Sequence, residues 1–198
     1  MMNAAERTAE TTAAAAEATV EPGFALFETA IGTCALAWGP RGLVGVQLPE
    51  ENGGAATRAR MQRRFANLNE AEPPESAQRA IAAIQGLLNG ASDDLGGIVL
   101  DMSHVSEFHQ RIYAIARRIP PGHTRTYGEI AAELGDKGLS RAVGQAMGHN
   151  PFAPVVPCHR VLAAGNKPGG FSAGGGALTK LRMLDIEGAR PNGMASLF

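Results

Sequence analysis

The sequence predicts an α/β N-terminal domain, a small antiparallel sheet with helices, followed by a mainly α C-terminal domain with a helix-turn-helix of winged-helix type. Three observations carry this. Short apolar runs separated by glycine signals fill the first part of the chain. A helix-period apolar pattern takes over from about Ser103. Two helical segments there are separated by the breaker Gly135-Asp-Lys-Gly138. The boundaries expected are a frayed tail over 1–22, an α/β domain over 23–103, a second domain over 104–190 and a tail over 191–198.

In the first domain FALFETA, TCALAWG and GLVGVQL read as a strand meander punctuated by Gly39-Pro40 and Gly42. Met61, Phe65 and Leu68 recur at helical spacing. A second helix starts at about Ser76 and carries Ile81, Ile84, Leu87 and Leu88 on one face before Asn89-Gly90 stops it. GIVLDM, 97–102, reads as one more strand, and no catalytic motif is evident in this half.

In the second domain Phe108, Ile112, Ile115 and Ile119 form an apolar stripe that begins near Ser106 and ends at Pro120-Pro121-Gly122. Thr126 and Glu129 fit a capping box, in which hydroxyl and carboxylate reciprocally satisfy free N–H groups at a helix start. Ile130, Ala131 and Leu134 continue that helix, and Ser140 opens the next, SRAVGQAMG. Ala142, Gly144, Ala146 and Gly148 crowd it with small residues, although glycine costs helical stability by about 1 kcal/mol against alanine. Tight packing on another helix and close approach to a nucleic-acid groove both account for that stripe.

The net charge of −1 conceals an asymmetry: residues 1–104 hold 7 Lys+Arg against 13 Asp+Glu, and residues 105–198 hold 11 against 6. A basic second half points to a polyanionic partner, and chance distribution of solvated charge remains open. The chain lacks an apolar stretch long enough for a membrane span and a basic start followed by an apolar run, so neither a membrane nor a secretory signal is expected. Cys34 and Cys158 are too far apart in sequence for a zinc knuckle and read as free thiols of a reducing cytoplasm.

Cys34, in a probable strand, reads as a small buried hydrophobe. Cys158 differs, because Pro157 restrains the backbone before it and His159 and Arg160 follow, neighbours that favour a thiolate. An imidazole needs a third group to set its tautomer, and spacing alone leaves the identity of that carboxylate open.

The segment PCHRV at 157–161, with RAVGQAM and HNP upstream of it in order and spacing, resembles the O6-alkylguanine-DNA alkyltransferases, or methylated-DNA–protein-cysteine methyltransferases. The similarity is strong from about Phe108 to Gly188 and general before that. It implies that Cys158 accepts the alkyl group of O6-alkylguanine in double-stranded DNA, once, with His159 acting through water and Glu187 completing the relay. It makes Asn150 the hinge asparagine and Tyr127 the residue that contacts the flipped guanine and helps protonate it. Met147, Val161, Phe171 and Ser172 become substrate contacts, Ser172 through its N–H and Val161, with Cys158, through its carbonyl. Arg141 becomes the residue that fills the vacated base stack, with Thr126, Ser140, Ala142 and Gly144 on the DNA-facing surface.

No metal or organic cofactor is implied, and the expected protein is a cytoplasmic, nucleoid-associated monomer. Phe171 stands where the family commonly has Tyr, and FSAGGGALTK is two residues longer than in many members and reads as a flexible lid over the pocket. Two alternatives stand beside this reading: a non-catalytic lesion-binding relative, against which the retained Cys158 argues, and a Cys-His hydrolase, for which no oxyanion-hole motif is evident.

Overall fold

The computed structural model describes residues 20–191, so most of the N-terminal tail and all but Pro191 of the C-terminal tail expected from sequence lie outside the described residues. The three expected strands form an antiparallel meander of β1 (Gly23–Thr29), β2 (Gly32–Gly39) and β3 (Gly42–Gln47), in that order across the sheet. Alternate residues feed two apolar layers. Ala25, Phe27, Cys34, Leu36 and Trp38 face the main core with helix α2 (Glu75–Leu88). Phe24, Ala35 and Ala37 face Met61 of helix α1 (Gly54–Arg64). With both faces covered, β2 is buried from Cys34 through Gly39, which is why TCALAWG is continuously apolar instead of alternating.

Three boundaries differ from the sequence reading. Helix α1 ends at Arg64, so Phe65 and Leu68 follow it, yet both still pack under the sheet beside Met61. GIVLDM is not a strand. It meets β3 only at Leu43, whose N–H donates to the Val99 carbonyl (3.0 Å) and whose carbonyl accepts from Asp101 N–H (2.8 Å), and Val99 is 67% exposed. Just past that bridge Asp101 turns the chain by accepting from Ser103 N–H (3.0 Å), and no second rung forms. At the facing position Gly42 has φ +129°, and a Cβ there would lie 2.6 Å from the Val99 carbonyl oxygen.

The helix after Ser106 is α3 (Glu107–Ala116), N-capped by the Ser106 hydroxyl. It ends a turn earlier than its apolar stripe. Pro120 disfavours helical geometry at Ile119, and the chain tightens into i to i+3 bonds, Arg118 to Ile115 and Ile119 to Ala116, while Ile119 stays buried.

The expected helix-turn-helix comprises α4 (Tyr127–Glu133) and α5 (Ser140–Gly148), joined through Gly135 and a 3-10 turn at Lys137–Leu139. Both halves of the Thr126–Glu129 capping box are formed. A two-residue parallel pair, β4 (Arg125–Thr126) with β5 (Val161–Leu162), and helix α6 (Gly176–Ile186) complete the fold. One apolar cluster runs unbroken from Ala25 of β1 to Met183 of α6. Among the described residues no helix is long and apolar enough to cross a membrane.

Within that cluster the buried Tyr113 of α3 donates its hydroxyl to the Ala146 carbonyl of α5 (2.9 Å). Tyr113→Phe is expected to cost about 1 kcal/mol in chemical denaturation with the denaturant slope unchanged, because a buried hydrogen bond is lost without loss of volume.

Candidate active site

Local hydrogen bonds decide where Cys158 sits. Asn150, just past α5, donates through Nδ2 to the Val156 carbonyl (2.7 Å) and accepts at Oδ1 from Phe152 N–H (2.9 Å), closing the 150–156 loop on itself. The N–H of Cys158 donates to that same Val156 carbonyl (2.8 Å), and Cys158–Arg160 forms a 3-10 turn leading directly into β5. The β4–β5 pairing, Thr126 opposite Leu162, then brings Tyr127 at the start of α4 alongside this turn.

Cys158 is 5% exposed and shares a cavity of about 400 Å³ with Tyr127, Met147, Phe171 and Ser172, four residues selected from sequence as substrate contacts. That volume lies in the range of small-ligand sites. Gly144 and Gly148 of α5 also line it. A Cβ on either would meet nothing within 4 Å, so tight helix packing does not account for these two glycines; the core face of α5 is Val143, Ala146 and Met147. Val161 is not part of the lining: it is fully buried, and its carbonyl accepts from Lys180 Nζ (2.6 Å), leaving one lone pair. Arg141 is exposed near the start of α5, with Thr126, Ser140 and Ala142 half-buried nearby in the helix-turn-helix.

Behind the thiol lies a sealed charge cluster. His159 Nε2 lies 2.8 Å from Glu187 Oε1, and Arg160 grips the same carboxylate through Nε to Oε2 and Nη2 to Oε1, each at 2.8 Å. All three side chains are buried. Burial alone would raise the Glu187 carboxyl, but the hydrogen bonds and charges of His159 and Arg160 outweigh it and hold it at about 2. Burial pushes the His159 pKa down against the pull of Glu187, so the ring is neutral. An ionised carboxylate only accepts, so the ring hydrogen is on Nε2 and Nδ1 is the free base. Nδ1 is buried without a hydrogen-bond partner among the described residues.

Sequence reasoning assigned Arg160 to the thiol. Its guanidinium is instead taken up by Glu187 and the Ile119 carbonyl (Nη1, 2.6 Å), because a buried carboxylate demands a bidentate partner. The cation that acts on Cys158 is Lys180, which sequence reasoning missed. Burial raises the Cys158 thiol, and the Asn150 side chain, the Lys180 charge and nearby backbone amides counter that rise. Lys180 is fully buried, and burial lowers its ammonium to about 8. Nζ lies 5.8 Å from the Tyr127 ring centre and 5.9 Å from that of Phe171. A signal was present: Lys180, Met183, Leu184 and Glu187 fall at i, i+3, i+4 and i+7, so helical periodicity places Lys180 on the buried stripe of α6 and Glu187, the C-cap, in line with it.

The glycine-rich stretch read as a flexible lid docks on the 49–51 segment that follows β3. A Cβ on Gly174 would lie 2.6 Å from the Pro49 carbonyl oxygen, and Gly175, at φ +75°, donates its N–H to Glu51 Oε1 (3.2 Å). Glycine serves close approach there. Cys34 is buried in β2 at 3.7 Å from the Thr29 hydroxyl, and burial pushes its thiol up to about 12.

Glu187 binds its proton more readily in the unfolded chain, near 4.5, than folded, near 2. Its stabilisation is therefore complete above the unfolded value and is lost as pH falls toward the folded one, and His159, buried neutral, acts in the same direction. Denaturation midpoints measured from about pH 6 to about pH 3 are expected to fall steeply in the parent, and Glu187→Gln is expected to start lower and fall less.

Comparison with known proteins places this arrangement in context. The family described as "6-O-methylguanine DNA methyltransferase, DNA binding domain" matches residues 107–189. A methylated-DNA–protein-cysteine methyltransferase of Mycobacterium bovis is 41% identical over 123 residues, covering 57% of this chain and 73% of that protein. One from Methanothermobacter thermautotrophicus is 35% identical over 125 residues, 63% of this chain and 69% of that protein. The crystal structure of Mycobacterium tuberculosis OGT in complex with DNA superposes with a TM-score of 0.66 at 30% identity, covering 84% of this chain and 92% of that one.

Proposed function

Because this chain belongs to the methylated-DNA–protein-cysteine methyltransferase family, we propose that it repairs DNA by moving the alkyl group from O6 of guanine onto its own Cys158, once per molecule. One observation supports this most: a thiol on the wall of a cavity of about 400 Å³ is followed in the chain by a buried neutral imidazole whose far nitrogen is held by an ionised carboxylate. That is the arrangement needed to remove a thiol proton beside a bound base.

In this reading His159 Nδ1 takes the thiol proton through a bridging water, and Glu187 stabilises the imidazolium that forms. The sulfur attacks the alkyl carbon opposite O6, the S–C bond forms, and the C–O6 pair stays on guanine, which gains a proton with help from the Tyr127 hydroxyl. The Tyr127 hydroxyl is protonated at neutral pH, and burial raises its pKa further, so it acts by hydrogen bonding to the departing base more than by full proton release. Lys180, through its charge, favours the thiolate. Met147 and Phe171 hold the base, the Ser172 N–H faces O6, and the Cys158 and Val161 carbonyls accept from the exocyclic amine. The product is a thioether with no easy leaving path, so the protein is consumed, and the chemistry needs neither metal nor organic cofactor.

Guanine O6 is unreachable within a duplex, so the nucleotide must flip out at a cost of a few kcal/mol. Arg141 offsets part of that cost by filling the gap, and Gly144 with Ala142 lets the α5 backbone lie close to the groove. Thr126 and Ser140 contact the flanking backbone. The DNA complex of the M. tuberculosis relative supports DNA as the partner. Residues 104–190 then carry binding and transfer as a monomer, and residues 23–103 buttress them.

Incubation with a duplex containing O6-methylguanine is expected to add one methyl mass to the intact protein, at a stoichiometry of one. Multiple turnovers, or binding with no mass gain, would overturn the assignment. Cys158→Ala is expected to bind the lesion duplex and acquire no alkyl group in the same mass measurement. Arg141→Ala is expected to lose repair of duplex DNA by at least about tenfold more than reaction with free O6-benzylguanine, since only the duplex requires flipping; equal losses on the two substrates would remove the flipping role.

A further inference from the structure

Two cavities meet at Cys158. The one on the Tyr127 and Met147 side is assigned above to the base. A second, of about 170 Å³, shares Gly148, Cys158, Phe171 and Ser172 with it but opens toward the N-terminal half, whose Gln47, Arg60 and Arg64 face His149 and Ala153 of the C-terminal half across it. It is the place where the N-terminal unit reaches the sulfur.

Its electrostatics are unbalanced. Arg60 Nε lies 3.3 Å from Glu50 Oε1. Arg64 Nη1 donates to the Val46 carbonyl (3.0 Å) and Gln47 Oε1 (2.9 Å), and Nη2 reaches the Pro151 carbonyl (3.5 Å), all neutral acceptors. Gln47 Nε2 donates to the same Glu50 carboxylate (3.0 Å). Two guanidinium groups thus face one carboxylate, and a positive charge is left over beside the nucleophile. Burial and the neighbouring Arg60 both depress the Arg64 pKa, a strain that an anion in this cavity would relieve.

The reaction geometry gives that charge a use. In an in-line displacement the sulfur, the alkyl carbon and O6 lie on one axis, and the other substituents of the carbon project sideways. A methyl group asks for no extra room, whereas a longer group must enter space flanking the sulfur. We infer that the second cavity receives the substituent of O6 adducts whose alkyl group ends in a carboxylate, with Arg60 and Arg64 as the selecting charges. The inference rests on the alkyl-transfer reading above. A carboxylate next to an attacking thiolate concentrates negative charge in a buried site, and the surplus guanidinium offsets it. The bonds balance as for methyl: S–C forms, C–O6 breaks, the electron pair and a proton go to guanine, and Cys158 ends as an S-carboxyalkyl thioether.

Single-turnover rates on one duplex sequence, carrying either O6-carboxymethylguanine or O6-isobutylguanine of the same branched shape without charge, test this. The carboxymethyl to isobutyl rate ratio is expected to exceed one in the parent, to fall about fivefold in Arg60→Gln and to recover in Arg60→Lys. Arg60 suits the test because it contacts no main-chain carbonyl of the catalytic loop, whereas Arg64 does. A ratio that Arg60→Gln leaves unchanged overturns the inference. A loss equal for the two adducts does so too and identifies the anion as a backbone phosphate. Failure of the parent to take up methyl from O6-methylguanine would instead sink the alkyl-transfer reading itself.

Discussion

Glu187 keeps its charge in the interior, and the surrounding structure answers the need to neutralise it. A carboxylate removed from water is tolerated only when paired and fully hydrogen-bonded, and removing one partner of such a cluster costs about 3–5 kcal/mol. Arg160 supplies a bidentate grip and His159 a third contact, so the residues following Cys158 are held against the C-terminal end of α6. Arg160 also reaches the Ile119 carbonyl, which ties in the chain beyond α3. The same pairing sets the imidazole tautomer and directs its basic nitrogen away from the carboxylate. Position, protonation state and rigidity of the Cys158–Arg160 turn therefore come from one electrostatic constraint.

The two halves of the chain divide the work unequally. The imidazole, the buried carboxylate, Tyr127 and Lys180 beside the thiol belong to the second half, yet the apolar core is continuous with the first. The first half holds the 150–156 loop from outside: Val46 N–H donates to the Pro151 carbonyl (2.7 Å), Arg64 approaches the same carbonyl, and Glu51 receives the glycine-rich segment. Its contribution comes through main-chain contacts and scattered single side chains, which leave no motif. That explains why the first half looked empty of chemistry when read along the chain.

Local signals in the sequence were sound where the governing interaction is local. The strand meander, the Ser106 cap, the Thr126–Glu129 capping box and the start of α5 at Ser140 depend on neighbours a few residues apart. Errors arose where a local pattern competed with tertiary partners. GIVLDM has strand composition but meets only one rung of β3, and the apolar stripes of α1 and α3 continue past the helix ends because a side chain can be buried from a turn as well as from a helix.

By itself the sequence determined the order of elements and the PCHRV segment with its adjoining thiol and imidazole, since these follow from residue type and short spacing. It also determined which half bears the positive charge. Only the tertiary structure decided that Arg160 serves Glu187 and not the thiol, that Lys180 is the cation acting on Cys158, that the α5 glycines border a cavity, and that Arg60 and Arg64 share a cavity with Cys158 from the other half of the chain. The physical reason is range: helix caps and periodicity act over one or two turns, whereas the pairing of buried charges joins residues tens of positions apart and depends on which groups the fold withdraws from water.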